Sequence, residues 1–283
     1  MHEQLSISRR QVLKGAGAAA LTGAATLMPT GKAIAVRGEA PRWAFIVDLR
    51  RCIGCRACTV ACKAEFDVPL GAFRAAVYEE VVGTFPDSEK IFLPRLCNHC
   101  EGNKDDKVPP CVKGCPEYPK DRREFVTDDG KKIRYRGGAT FKRPDGLILF
   151  DNSLCTGCGK CIEACPYGAR NFDKLLISGK DSTKNGITKC TFCEHRIAKG
   201  VTPSCINICP GRARFFGDLN DPASEVSKLN KQFGLTENPN ETTLLPGENT
   251  TPMCFYIDPQ GALKKMVVAK KKFEKNDAIL DVI

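Results

Sequence analysis

Sixteen of the 17 cysteines in this 283-residue chain fall into four groups of four. The groups are Cys52, Cys55, Cys58, Cys62; Cys97, Cys100, Cys111, Cys115; Cys155, Cys158, Cys161, Cys165; and Cys190, Cys193, Cys205, Cys209. The first and third read C-I-G-C-R-A-C-T-V-A-C and C-T-G-C-G-K-C-I-E-A-C-P, with two, two and three residues between cysteines. That is the ferredoxin spacing, in which the fourth cysteine serves the other cluster of a pair. Three thiolates at two-residue gaps let one tight loop wrap three corners of an iron–sulfur cubane. The fourth, on the segment that follows, then points toward a neighbouring cluster. Gly54, Thr156, Gly157 and Gly159 keep these gaps slim, so that backbone N–H groups can approach cluster sulfurs. Pro116, Pro166 and Pro210 follow the fourth cysteines of three groups and turn the chain away, whereas Lys63 stands there in the first.

Two other uses of the cysteines compete with this one. Structural zinc takes four thiolates, usually as two C-x-x-C pairs, and the second and fourth groups each open with such a pair. A zinc–thiolate scaffold is therefore the alternative of another functional class, although a close triplet plus a distant fourth cysteine suits a tetrahedral ion poorly. Disulfides are the other alternative in an exported chain. Cysteines three apart crosslink distant segments badly, and a chain of this length can build a core without staples.

The N-terminus points to export. Ser8-Arg9-Arg10-Gln11-Val12-Leu13-Lys14 precedes a weakly apolar stretch from Gly15 to Met28, and Ala33-Ile34-Ala35 offers small residues for cleavage. Residues 1–35 resemble a twin-arginine signal peptide, with Val12 where Phe is more usual. The apolar stretch is too short to cross a bilayer, which needs about 20 residues. No later run is long enough either, so no direct membrane span is expected. The twin-arginine route carries proteins already folded around a cofactor, which would protect thiolates from an oxidising periplasm. The chain is basic, with a formal charge of +10. It has no basic–aromatic stripe, so no nucleic acid is expected as partner, and part of the charge excess can offset anionic clusters.

A repeat runs along the chain. Each ferredoxin run follows a strand-like stretch ending in Asp, at 43–48 and 147–151, and each is followed by a group with a longer internal gap. Between the halves, Phe125 to Tyr135 reads as a hairpin with Gly130 in the turn. Residues after Gly217 carry no cysteine motif and read as a tail of helix and loop.

Four such groups in this order resemble the four-cluster, ferredoxin-like iron–sulfur subunits of molybdopterin oxidoreductases. The resemblance implies an α+β fold of two bicluster ferredoxin-like modules, each holding two [4Fe–4S] clusters, with a hairpin insertion and a C-terminal tail. Residues 36–96 with 186–220 would form the first module, 97–185 the second, and 221–283 the tail. In that family the first group pairs with the fourth and the second with the third, each lending its last cysteine to its partner. One cluster would then take Cys52, Cys55, Cys58 and Cys209, and a second Cys190, Cys193, Cys205 and Cys62. A third would take Cys155, Cys158, Cys161 and Cys115, and the fourth Cys97, Cys100, Cys111 and Cys165. Nitrate-reductase-type members have Trp at one ligand position and a three-iron cluster there. Cysteine at all sixteen positions implies four [4Fe–4S] clusters.

Arg143-Pro-Asp-Gly146, Cys165-Pro-Tyr-Gly-Ala-Arg170, Gly217-Asp-Leu-Asn-Asp-Pro222 and Phe255-Tyr256 are similar to tetrathionate-reductase iron–sulfur subunits. Polysulfide, thiosulfate and arsenate reductase subunits share much of this, and the same wire could serve a cytochrome nitrite-reductase or hydrogenase module. Asn103 to Pro110 departs from the family as a longer second-group gap. The resemblance implies a periplasmic subunit with no catalytic residues. It would carry electrons between an integral-membrane quinol-oxidising subunit and a molybdopterin catalytic subunit. No nucleophile–base pair, phosphate loop or flavin fingerprint gives the chain a substrate of its own. His99 and His195, beside ligand cysteines, are expected to hydrogen-bond around clusters or to touch a partner rather than bind iron. Cys254 is expected to be a buried apolar thiol. Arg56, Lys63 and Lys160 lie in or beside ligand loops, either raising cluster potentials or simply solvated. Lys264 to Lys275 reads as a solvated basic face.

Overall fold

The computed structural model describes residues 40–269; the twin-arginine segment and the end of the basic tail lie outside the described residues. The organising strand is β1 (Trp43–Asp48), the middle of a three-stranded sheet between β10 (Arg214–Asp218) and β11 (Cys254–Ile257). Ala44, Phe45, Ile46 and Val47 are completely buried. An unbroken apolar run, rather than an alternating one, is what a strand covered on both faces requires. Phe45 and Val47 face the cysteine-rich interior, packing with Leu93, Phe192 and Tyr256. Ala44 and Ile46 face the other way, onto Phe215, Val226 and Leu235.

Four two-stranded ribbons complete the strands. They are β2 (Ala75–Val82) with β3 (Glu89–Leu96), and β4 (Asp121–Val126) with β5 (Lys132–Gly137). The others are β6 (Thr140–Lys142) with β7 (Ile148–Phe150), and β8 (Arg170–Ile177) with β9 (Asn185–Lys189). The expected hairpin is β4–β5, with Gly130 at φ 82° in its turn. Both strand-like stretches before the ferredoxin runs are strands, β1 and β7.

The helices are short. α1 (Ala57–Phe66) carries Cys58 and Cys62, α2 (Pro110–Lys113) carries Cys111, and α3 (Lys160–Glu163) carries Cys161. α4 (Glu194–Ile197) follows Cys193, and α5 (Ser204–Asn207) carries Cys205. α6 (Glu225–Phe233), α7 (Pro239–Thr242) and α8 (Ala262–Ala269) lie beyond the last group.

One expectation about organisation changes. The stretch after residue 220 is more than helix and loop. It supplies β11, which pairs parallel to β1 with Phe45 opposite Cys254 and Val47 opposite Tyr256. A four-residue apolar strand without alternation is indistinguishable by pattern from a buried loop or helix turn, which is why the sequence hid it. Residue 186 lies within β9, which is bound to β8 from Arg170↔Lys189 onward.

Candidate metal centres

In each group the residue before the second cysteine adopts the left-handed conformation: Gly54 (φ 71°), His99 (44°), Gly157 (63°) and Phe192 (54°). This turn aims a backbone N–H back at the first sulfur. Gly157 N–H lies 3.3 Å from Cys155 Sγ and Phe192 N–H 3.4 Å from Cys190 Sγ. Gly54 N–H likewise holds the Cys52 sulfur and offsets part of the rise that burial imposes on its pKa. Such N–H···S bonds are one of the levers that set cluster potentials.

The four loops bring cysteines together across the sequence. Cys52, Cys55, Cys58 and Cys209 line one cavity, with Gly211 and Ala213. Cys115, Cys155, Cys158 and Cys161 line a second. Cys97, Cys100, Cys111 and Cys165 line a third. The remaining thiols gather too. Cys62 feels Cys205 and Cys193 electrostatically, and Cys190 feels Cys62 and Cys205. Every quartet thus takes three cysteines from one group and one from another. Among the described residues no three His, Cys, Asp or Glu side chains close tightly enough around one point to hold a single ion. Thiols set around one opening, three from one loop and one from another, match the way ferredoxin-type loops share the ligation of a polynuclear cluster.

The quartets form a line. Cys58 neighbours Cys205, Cys190 neighbours Cys97, and Cys161 neighbours Cys111. The order is therefore 52/55/58/209, then 62/190/193/205, then 97/100/111/165, then 115/155/158/161. Cys55 and Cys158, in the two end quartets, are the exposed cysteines, and all others are buried or half-buried. Burial pushes Cys62 up to about 12 and Cys205 up to about 11, and holds Cys100 and Cys190 well above the usual thiol range. Ionising such thiols requires a compensating positive charge, which iron supplies with release of protons. The buried cations fit the same group. Arg214 is 3% exposed, and its two Nη atoms are buried without a hydrogen-bonding oxygen, facing the thiols of Cys205 and Cys58. An anionic cluster on each side would answer that orphaned charge.

Between the two middle quartets sits an aromatic pair. The His99 and Phe192 rings stack with centroids 3.7 Å apart and planes 18° off parallel. Ile148 N–H donates to His99 Nδ1 at 3.0 Å, so Nε2 carries the proton and donates to Cys190 O, also at 3.0 Å. Burial, helped by Lys189, drives the His99 pKa well below the usual imidazole value. His99 therefore hydrogen-bonds beside the ligands, as expected. His195 lies 2.7 Å from Glu65 and edge-on to Phe66, within a junction that joins α1 to α4 and α5. Glu65, which also accepts from Ser204 Oγ and Arg196, is held down to about 2 chiefly by the Ser204 and His195 bonds.

Of the cations expected in or beside ligand loops, Arg56 and Lys63 are committed elsewhere and Lys160 is exposed, and the first lysines of the basic tail are paired too. Arg56 pairs with Glu79 at 3.3 Å, and Lys63 donates to the carbonyls of Pro69 and Ala72. Lys264 and Lys265 pair with Glu241 and Glu89. Buried cations that face thiols include Arg214, Arg170, Lys189 and Arg74, none of which the sequence singled out as a cluster cation. A signal existed: Cys165-Pro-Tyr-Gly-Ala-Arg170 and Cys209-Pro-Gly-Arg-Ala-Arg214 share the pattern C-P-x-x-A-R. Cys254 is fully buried in β11, and burial pushes it up to about 12.

Comparison with known proteins decides the family. Residues 88–219 match the 4Fe-4S dicluster domain and residues 43–64 the 4Fe-4S binding domain. The chain is 37% identical over 260 residues to a tetrathionate reductase subunit of Salmonella typhimurium, covering 88% of each chain. It belongs to the 4Fe–4S subunits of the molybdopterin oxidoreductases. Other members of the family span several reductases. A selenate reductase subunit of Mesobacillus selenatarsenatis is 34% identical, covering 76% of this chain and 72% of its own. The arsenate respiratory reductase iron–sulfur subunit of a Shewanella species is 34% identical, covering 76% and 96%. As a member of the family, the chain is a non-catalytic electron-transfer subunit of a reductase complex. No helix among the described residues is long and apolar enough to cross a membrane.

Proposed function

We propose that the sixteen grouped cysteines hold four [4Fe–4S] clusters in two bicluster modules. The first module would use the 52/55/58/209 and 62/190/193/205 quartets, the second 97/100/111/165 and 115/155/158/161. The observation that carries this reading is the line of quartets with an exposed cysteine in each end quartet alone. An electron carrier needs access at two ends and insulation between them. When bound, the clusters supply one-electron carriage. The chain's residues shield the middle quartets, direct N–H groups at the sulfurs, and place buried cations in the gaps.

In this reading the protein carries electrons between an integral-membrane quinol-oxidising subunit and a molybdopterin catalytic subunit. Tetrathionate is the favoured terminal substrate, supported by the identity to the Salmonella protein over 88% of both chains. Location in the periplasm, reached by the twin-arginine route, rests on Arg9 and Arg10 in the N-terminal segment.

The test is anaerobic purification of the native complex. It should contain both partner subunits and reduce tetrathionate, while the isolated chain, with about 16 iron and no molybdopterin, reduces nothing even with an artificial donor. Folded protein carrying mainly zinc would overturn the cluster reading. An intact complex that turned over selenate or arsenate but not tetrathionate would overturn the substrate assignment. Lys at both Arg9 and Arg10 should leave folded, cluster-bearing protein in the cytoplasm, and normal periplasmic levels would overturn the export route.

A further inference from the structure

Two buried arginines occupy equivalent places in the two halves of the line. Each lies five residues beyond the fourth cysteine of its group, at the end of the shared C-P-x-x-A-R pattern. Arg214 opens β10 and is 3% exposed, and Arg170 opens β8 and is 1% exposed. Each faces thiols of two quartets. Arg214 lies against Cys205 of one and Cys58 of the next, with its guanidinium 5.8 Å from the Phe45 ring centroid. Arg170 donates to Cys111 Sγ at 3.3 Å and to Thr140 Oγ1 at 3.2 Å, with Cys161 of the adjoining quartet also in range. Burial works against both guanidinium charges, and the surrounding thiols more than reverse it, so that both pKa values rise.

We propose that Arg214 and Arg170 are positioning residues for electron transfer, each setting the potentials of the two clusters that flank it. The proposal rests on the four-cluster reading above. Reduction of a [4Fe–4S] cluster adds one electron and moves no proton. A buried guanidinium is permanently charged and stabilises that electron in a medium of low dielectric. One cation shared by two clusters acts on both, so the pair inside a module rises together and neither becomes a trap. Because the charge never titrates, the effect holds across pH.

The experiment is an EPR-monitored redox titration, with dithionite as the electron source, of the full cluster-loaded chain. Signals are assigned with Cys209→Ser and Cys115→Ser variants. Arg214→Met should lower the reduction equilibrium of the two clusters of its own module about tenfold, a fall of about 59 mV for a one-electron couple. The other two clusters should stay where they are. Arg170→Met should do the reverse, and Arg→Lys should restore most of the loss at either site. If Arg214→Met fails to retain iron, Arg214→Gln, which keeps hydrogen bonding without charge, takes its place with the same expected fall. Full iron content with unmoved potentials, or an equal fall in all four clusters, overturns the proposal. A wild-type chain without cubane signals or iron overturns the four-cluster reading instead.

Discussion

Replacing Asp145 by Ala should be among the most damaging changes outside the cysteines. Asp145, 2% exposed, closes a turn by accepting from Arg143 Nε at 3.0 Å and Nη2 at 2.7 Å. It also accepts from Trp43 Nε1–H at 3.1 Å, and Arg143 reaches on to Glu194 at 2.8 Å. The carboxylate thus ties the β6–β7 turn to β1 and, through Arg143, to the helix after Cys193. Removing it leaves a largely buried guanidinium short of its main partner and an indole N–H without its acceptor. Breaking one side of a buried ion pair costs about 3–5 kcal/mol. Cluster loss makes unfolding irreversible, so the measurable quantity is a rate. If the network is broken in the transition state, the same energy speeds unfolding by about 10²- to 10⁴-fold. Trp43 is the single tryptophan, so its emission during anaerobic guanidinium unfolding reports the event directly. Asp145→Asn, which keeps the shape and one acceptor, should cost about 1–3 kcal/mol and fall between the two. An Asp145→Ala protein that unfolds less than about tenfold faster would show that the turn is held by its backbone bonds alone.

Gly54→Ala combines a left-handed φ with a Cβ 2.2 Å from the Phe92 ring, so it should cost about 2–5 kcal/mol and deplete iron from the first quartet. Gly130→Ala, at φ 82° with open space around it, should cost about 1–2 kcal/mol and leave iron content unchanged. Equal losses in thermal stability for the two would remove the Phe92 contact from the argument. Cys62→Ser should disturb the cluster otherwise bound by Cys190, Cys193 and Cys205 while the 52/55/58/209 site keeps four ligands. Mössbauer or EPR spectra showing damage only at the latter site would refute the exchange of ligands between groups.

The cysteine loops were legible because metal ligation writes itself in short, fixed spacings. β1, β7 and the β4–β5 hairpin were legible because apolar runs and a glycine turn mark them locally. β11 was not, since Cys254-Phe-Tyr-Ile257 becomes a strand only by lying against β1, a contact across about 200 residues that no local pattern records. The cations divide in the same way. Arg56, Lys63 and Lys160 drew attention by standing next to cysteines in sequence, yet Arg56 and Lys63 are spent on a carboxylate and on loop carbonyls. Arg170 and Arg214 face thiols from the first position of a strand, where burial rather than proximity in the chain decides what they meet. The His99–Phe192 stack was hidden because its members are 93 residues apart. Their matching positions before second cysteines, aromatic in the second and fourth groups and glycine in the first and third, were the available clue.

The closure of the first quartet by Cys209 has a consequence for biosynthesis. A ribosome delivers Cys52, Cys55 and Cys58 early, but their fourth wall and the strand β10 beside them arrive more than 150 residues later, and β11 later still. The second and third groups, adjacent in the chain, can find each other while translation continues. The half that is made first is therefore the half that closes last. Until it closes, three thiols wait on an open loop, and long-range closures of this kind are slow. A chain built this way is best kept in a reducing compartment, in contact with cluster donors, until its final strand has been released.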